Sequence, residues 1–188
     1  MNYYKNFYSR TVQKDFVSRF NCLNSYQIFK LEKMTLNIQN EKSDINKTLL
    51  LDILGLEFIT SNSPLVTKAR KSNVLFGILK NYPTGVKLDL HGFSMFSFLQ
   101  KLGFFIFPKI KVNSSSKYLL LSGNFSFSIK QIDDFQELTF FYKFFKHISY
   151  IDYNLKINGF VFKDKLENSI GLMFLITSLN FPLSFQKV

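Results

Sequence analysis

The chain has 188 residues, 46% of them hydrophobic, with a formal net charge of +11 and a pI near 9.6. That length and apolar content suit one compact domain over residues 1–188 with a sizeable core, and the positive balance favours a polyanion such as nucleic acid or anionic lipid over a basic partner. Cys22 is the single cysteine, and neither His91 nor His147 stands in a C-x-x-C or H-E-x-x-H setting, so no disulfide, metal or cofactor is expected and a reducing compartment is implied.

Tyr4, Tyr8, Val12, Phe16 and Phe20 recur every four residues, which predicts a docked amphipathic helix over 3–20 belonging to the mature protein rather than an acid-poor targeting segment. Residues 31–38 read as a strand with Met34, Leu36 and Ile38 on one face. Residues 45–59 read as a helix turning Leu49, Leu50, Ile53, Leu54 and Leu56 inward, stopped by Ser61, Asn62, Ser63 and Pro64. Val86, Leu88 and Leu90 alternate with Lys87, Asp89 and His91, the cleanest strand pattern in the chain. Residues 93–107 are apolar and helical up to Pro108, and 113–117 form a Ser-rich loop. Phe125, Phe127 and Ile129 mark another half-buried strand, 148–157 a further one, and 164–179 a closing helix. Helices with mostly antiparallel strands define an α+β fold, a sheet packed against helices with a loop protruding between two strands. No apolar run approaches the roughly 18 to 20 residues of a spanning helix, so no membrane insertion is expected.

Charge is concentrated in the middle of the chain. Residues 58–132 carry ten basic side chains and one acid, Asp89, and so hold nine of the eleven net charges. Within that window Thr67, Lys68, Arg70, Lys71 and Ser72 combine point charges, one bidentate fork and two hydroxyls, a mixture that grips phosphate and ribose oxygens without reading sequence. The plainer alternative is a charged strand edge that guards against aggregation. Lys80, Asn81, Tyr82, Pro83, Thr84 and Gly85 follow as a loop of turn formers in which an exposed Tyr82 could stack on a base or ribose, or simply decorate a connecting turn.

Usage is skewed in a second way, with 24 Phe, 21 Lys and 16 Asn against one Ala, three Arg and no Trp. Folding asks for none of this, since Ala is the best helix former and Arg the better phosphate fork. An AT-rich coding sequence explains it, of the kind many organelles carry; an AT-rich bacterial or nuclear genome gives the same bias.

Residues 64–72 (PLVTKARKS), then Tyr82, Pro83, Gly85 and Lys87, then Gly92, Met95, Phe98, Leu99, Lys101 and Leu102 closely resemble the bacterial-type large-subunit ribosomal protein five family, without gaps from Pro64 to Leu102. Phe20, Asn21, Gln27, Lys30, Glu32 and Lys33 upstream, and Gly123, Asn124, Phe125, Gln131, Phe181 and Pro182 downstream, extend the resemblance over nearly the whole chain. It implies a non-enzymatic structural protein of the central protuberance that binds large-subunit rRNA, and 5S rRNA where the ribosome has one. A loop, 72–85 here, would reach the P-site tRNA, and neighbouring ribosomal proteins and a small-subunit head protein would be protein partners. The implied rRNA-binding residues are Asn37, Asn62, Thr67, Lys68, Arg70, Lys71, Ser72 and Lys87; the implied tRNA-facing ones are Lys80, Asn81, Tyr82, Pro83, Thr84 and Gly85. With the composition, the resemblance places the protein in a mitochondrial ribosome in the matrix, encoded by the organelle.

The chain departs from that family at several positions. Ser61 and Asn62 replace a Gly-Gln pair, Asp89 a Thr and His91 an Arg, and the Arg-rich loop around Lys80 is reduced to one Lys. A carboxylate on an RNA face repels phosphate unless it accepts from a base amine, so either that contact is lost or Asp89 pairs with Lys87 or Lys68. Residues 112–121 also depart, and the Phe-rich stretch 139–150 offers extra apolar packing for a neighbouring subunit or for the core. A free-standing basic RNA-binding domain is the alternative function. An enzyme would need a constellation, and Asp133, Asp134, Glu137, Asp152 and Asp164 scatter as caps and surface charges do.

Overall fold

The computed structural model describes residues 3–20, 22, 24, 27–39, 45–75, 77–109, 119–121, 124–129, 135–148, 150–158, 165–179 and 181. The Ser-rich stretch 113–117 and the acids Asp133, Asp134 and Asp164 lie outside them. In chain order the elements are α1 (Tyr3–Phe7), a π-helical turn (Tyr8–Val12), α2 (Gln13–Phe20), β1 (Lys30–Gln39), α3 (Ile45–Thr60), β2 (Leu65–Lys68) and β3 (Pro83–His91). There follow α4 (Gly92–Lys101), a second π-helical turn (Leu102–Ile106), β4 (Leu119–Leu121), β5 (Asn124–Ile129), α5 (Gln136–Thr139), α6 (Tyr142–Phe145), β6 (Ile151–Asn158) and α7 (Lys165–Ser178). The strands form one six-stranded sheet in the order β2-β3-β1-β6-β5-β4, with β2/β3 and β4/β5 antiparallel. The α+β expectation holds.

Two compact units are distinguished, one of residues 1–34, 91–127 and 154–188, the other of 35–90 and 128–153. The first is built on aromatic packing. Phe16 stacks on Phe20 and meets Phe29 edge-on, while Phe107, Phe125, Phe127 and Phe181 form a second cluster with centroids 4.7 to 6.1 Å apart, within the range where ring pairs attract. The N-terminal stripe is buried at Tyr4, Tyr8, Val12 and Phe16. A four-residue repeat drifts by about 40° per step on an α-helix; the wider π turn at Tyr8–Val12 absorbs part of that drift and keeps the stripe on the core. Both buried tyrosines bond outward from the helix, Tyr4 Oη to the Leu179 carbonyl (2.7 Å) and Tyr8 Oη to that of Phe29 (2.8 Å). Burial pushes the Tyr4 phenol up to about 12.

The second unit holds α3, β2, α5 and α6 with most of β3. Leu56 and Ile59 of α3 are buried together with Asp52, whereas Leu50 and Leu54 point to solvent, contrary to the sequence expectation. The helix is apolar nearly all round, so periodicity did not select a face; the inward stripe runs 52, 56, 59 because the buried Asp52 carboxylate meets His147 there. Among the described residues, no helix is long and apolar enough to cross a membrane.

Candidate nucleic-acid interface

Alternation places Met34, Leu36 and Ile38 of β1 and Val86, Leu88 and Leu90 of β3 in the core. The intervening residues, Thr35 and Asn37 on β1 and Lys87 and Asp89 on β3, therefore share the opposite face. Register follows from two contacts. A β-carbon at Gly85 would collide with the Ile38 carbonyl oxygen and lie 3.3 Å from Gln39 Cα, and Thr35 Oγ1 donates to Asp89 Oδ1 at 2.7 Å. Advancing from 85 to 89 on β3 thus retreats from 39 to 35 on β1, so the pair is antiparallel and Lys87 falls beside Asn37. On the other flank Lys87 pairs with Leu65 and Gly85 with Thr67 of β2. Gly85 is glycine because two strands close on it from both sides.

The structure thereby brings Asn37, Thr67 and Lys87 onto one small sheet face. Asp89 lies in it too, its Oδ2 3.3 Å from Lys87 Nζ; of the arrangements open to it, pairing with Lys87 is the one adopted. At the far end of β1 Glu32 is likewise engaged by Lys156 at 2.8 Å, and that ammonium holds its carboxyl below the ordinary value. Asn62 sits in the turn after α3, half-buried, its amide nitrogen facing the carbonyls of Thr60 (3.2 Å) and Ser61 (3.3 Å).

Beyond the face the chain continues as a narrow hairpin. The register slips between Thr67 and Lys68, so that Lys68 pairs with Pro83, a bulge that bends and twists the edge. Ala69 N–H then donates to the Tyr82 carbonyl (2.8 Å), Asn81 N–H to that of Ala69 (2.9 Å), and Asn73 and Ile78 exchange bonds of 2.8 and 3.0 Å. Asn73 Oδ1 accepts from Leu75 N–H, and Gly77, with φ +64°, turns the chain back. Lys68, Arg70, Lys71, Ser72 and Lys80 are all exposed along this stalk.

Three placements differ from the sequence reading. Pro83, Thr84 and Gly85 belong to β3 and not to the loop, because Gly85 pairs with Thr67 and the register slip passes over Thr84 to pair Pro83 with Lys68. Tyr82 is half-buried, its N–H and carbonyl both used within the stalk. The tip is formed instead by Val74 and Leu75, 93% and 92% exposed; their apolar character between two basic runs was the available signal.

Taken as a class, this is an α+β protein whose sheet-edge hairpin carries a cluster of exposed cations beside a small polar sheet face, with no group of three or more metal-ligating side chains among the described residues. No family model matches the chain. Curated relatives do. A large ribosomal subunit protein uL5m from Reclinomonas americana is 33% identical over 79% of this chain and 83% of its own length. Protein uL5 from Wigglesworthia glossinidia brevipalpis is 31% identical over 96% and 97% respectively, and uL5 from Buchnera aphidicola 37% identical over 74% and 77%. The chain belongs to the uL5 family of large ribosomal subunit proteins, the family that the PLVTKARKS segment resembles. Those relatives are by name proteins of the large ribosomal subunit.

Proposed function

We propose that the protein is a structural component of the large subunit of a mitochondrial ribosome and acts there as one domain, its relatives and its AT-biased composition supporting that assignment. It binds rRNA of the central protuberance, 5S rRNA included where present, and carries no cofactor. The observation that carries the reading is the exposed row Lys68, Arg70, Lys71 and Lys80 on a stalk without an acid, beside a polar face holding Asn37, Thr67 and Lys87. Ammonium groups and one guanidinium fork on a protruding hairpin fit the phosphate ridges of folded RNA, and Ser72 and Thr67 add neutral donors of the kind that position a backbone, while Asn62 contributes its side-chain oxygen as an acceptor. The hairpin end from Ser72 through Lys80, Asn81 and Tyr82 is the part that reaches the P-site tRNA, with Pro83, Thr84 and Gly85 anchoring it in the sheet. Neighbouring large-subunit proteins and a small-subunit head protein complete the contacts.

The test is isolation of the mitochondrial large subunit followed by mass spectrometry and a density map. The chain is expected in the central protuberance with the stalk against RNA. Its absence from the purified subunit overturns the reading.

A further inference from the structure

We propose that Asp89 converts the Thr35–Lys87 corner of the sheet face into a neutral hydrogen-bonding subsite, which takes a nucleobase edge carrying an exocyclic amine and not a backbone phosphate. The inference rests on the RNA-binding reading above and divides the labour within it. Phosphate is gripped on the stalk by Lys68, Arg70 and Lys71; bases are met on the sheet.

The geometry supplies the reason. Asp89 is the single acid among residues 58–132, and it stands on the same face as Asn37, Thr67 and Lys87. Its carboxylate is fixed from both sides, by the Thr35 hydroxyl at 2.7 Å and the Lys87 ammonium at 3.3 Å, so it cannot swing away from an approaching ligand. The pair leaves no net charge at this corner, and a phosphate drawn to Lys87 would meet Asp89 at nearly the same distance. About a third of the Asp89 side chain and two fifths of Lys87 remain open to solvent. A fixed, reachable carboxylate accepts from amines such as cytosine N4, as acidic side chains do at base edges, and unpaired RNA presents those edges. Asn37, placed next to Lys87 by the register, adds an amide that donates and accepts.

The experiment uses the full chain with two probes of equal length, oligo(C) and oligo(U), and measures dissociation constants across a series of KCl concentrations. Wild type should bind oligo(C) more tightly. Asp89→Asn, which retains an oxygen for Thr35, should lose that preference and steepen the salt dependence by about 0.7 in log–log slope, the contribution of one phosphate contact on a single strand, as Lys87 becomes available. Lys87→Met should weaken oligo(C) binding threefold or more at unchanged slope, because Asp89 loses the partner that orients it, whereas Lys71→Ala should flatten the slope by about 0.7. An unaltered preference and slope in Asp89→Asn, or a Lys87→Met slope that flattens as Lys71→Ala does, overturns the subsite alone. A Lys71→Ala slope equal to wild type overturns the RNA grip and the subsite together.

Discussion

His147 Nε2 lies 2.8 Å from Oδ1 of Asp52, a carboxylate with no solvent exposure, while His147 Nδ1 lies 2.9 Å from the Phe144 carbonyl. The imidazole thus joins the end of α6 to the middle of α3. Removing the imidazole takes one hydrogen-bond partner from a fully buried carboxylate, a loss of about 1 to 3 kcal/mol, whereas replacing both groups by apolar side chains is often nearly neutral. His147→Ala should therefore lower unfolding free energy by that amount in urea titrations, and a paired Asp52→Leu, His147→Leu variant should recover most of it. A loss below about 1 kcal/mol in the single variant, the scale of an exposed pair, would show that the contact is a surface one.

The Phe-rich segment divides between core and surface. Phe145 is buried and meets Phe58 edge-on at 6.1 Å, and Phe141 stacks on Phe58 at 5.9 Å, yet Phe140 and Phe144 are 85% and 60% exposed. Phe145→Ala should cost about 3 to 5 kcal/mol. The pair Phe140→Ser and Phe144→Ser should change stability by less than about 0.5 kcal/mol per site and raise the concentration at which the isolated protein begins to scatter light, since it removes exposed apolar surface. A large stability loss in the serine pair would place those rings in the core.

The strands were legible because burial of one face enforces a period of two: Met34, Leu36, Ile38; Val86, Leu88, Leu90; and Phe125, Phe127, Ile129 all point inward as read. The rotation of α3 was not legible, for a helix with apolar residues on every side is oriented by its one buried carboxylate, and the partner His147 lies 95 positions away. The cations of the hairpin stood out in the sequence. Their arrangement did not, since the slip between Thr67 and Lys68 and the Asn73–Ile78 bridge set where pairing stops and the tip begins, and backbone register leaves no mark in composition.

The strand pairing fixes where the hairpin can be shortened without touching the sheet. Shortening the chain at 81–84 would remove Pro83 and Thr84 from β3 and disturb the sheet edge. Replacing residues 74–77 with a two-residue turn closes the stalk beyond the Asn73–Ile78 bridge and leaves every strand pairing in place. The stability change should stay within about 1 kcal/mol, as for other exposed sites. Gradient sedimentation should find the variant in the large subunit, with retention of P-site tRNA impaired. Failure to enter the subunit would instead make the tip an assembly element.

Asp152 on β6 offers a test by pH. Burial raises its carboxyl above the ordinary value of 3.8, so the folded state holds that proton more tightly than the unfolded chain. The sign is then fixed: the ionised carboxyl costs stability at every pH above the raised value, and the cost fades as pH falls through it and is gone below 3.8. Asp152→Asn removes the ionisation. Thermal melts should therefore show the variant more stable than wild type near neutral pH, with the two curves converging as the solution is acidified. A variant less stable at neutral pH would mean that the charged carboxylate is held by a favourable contact outweighing its burial.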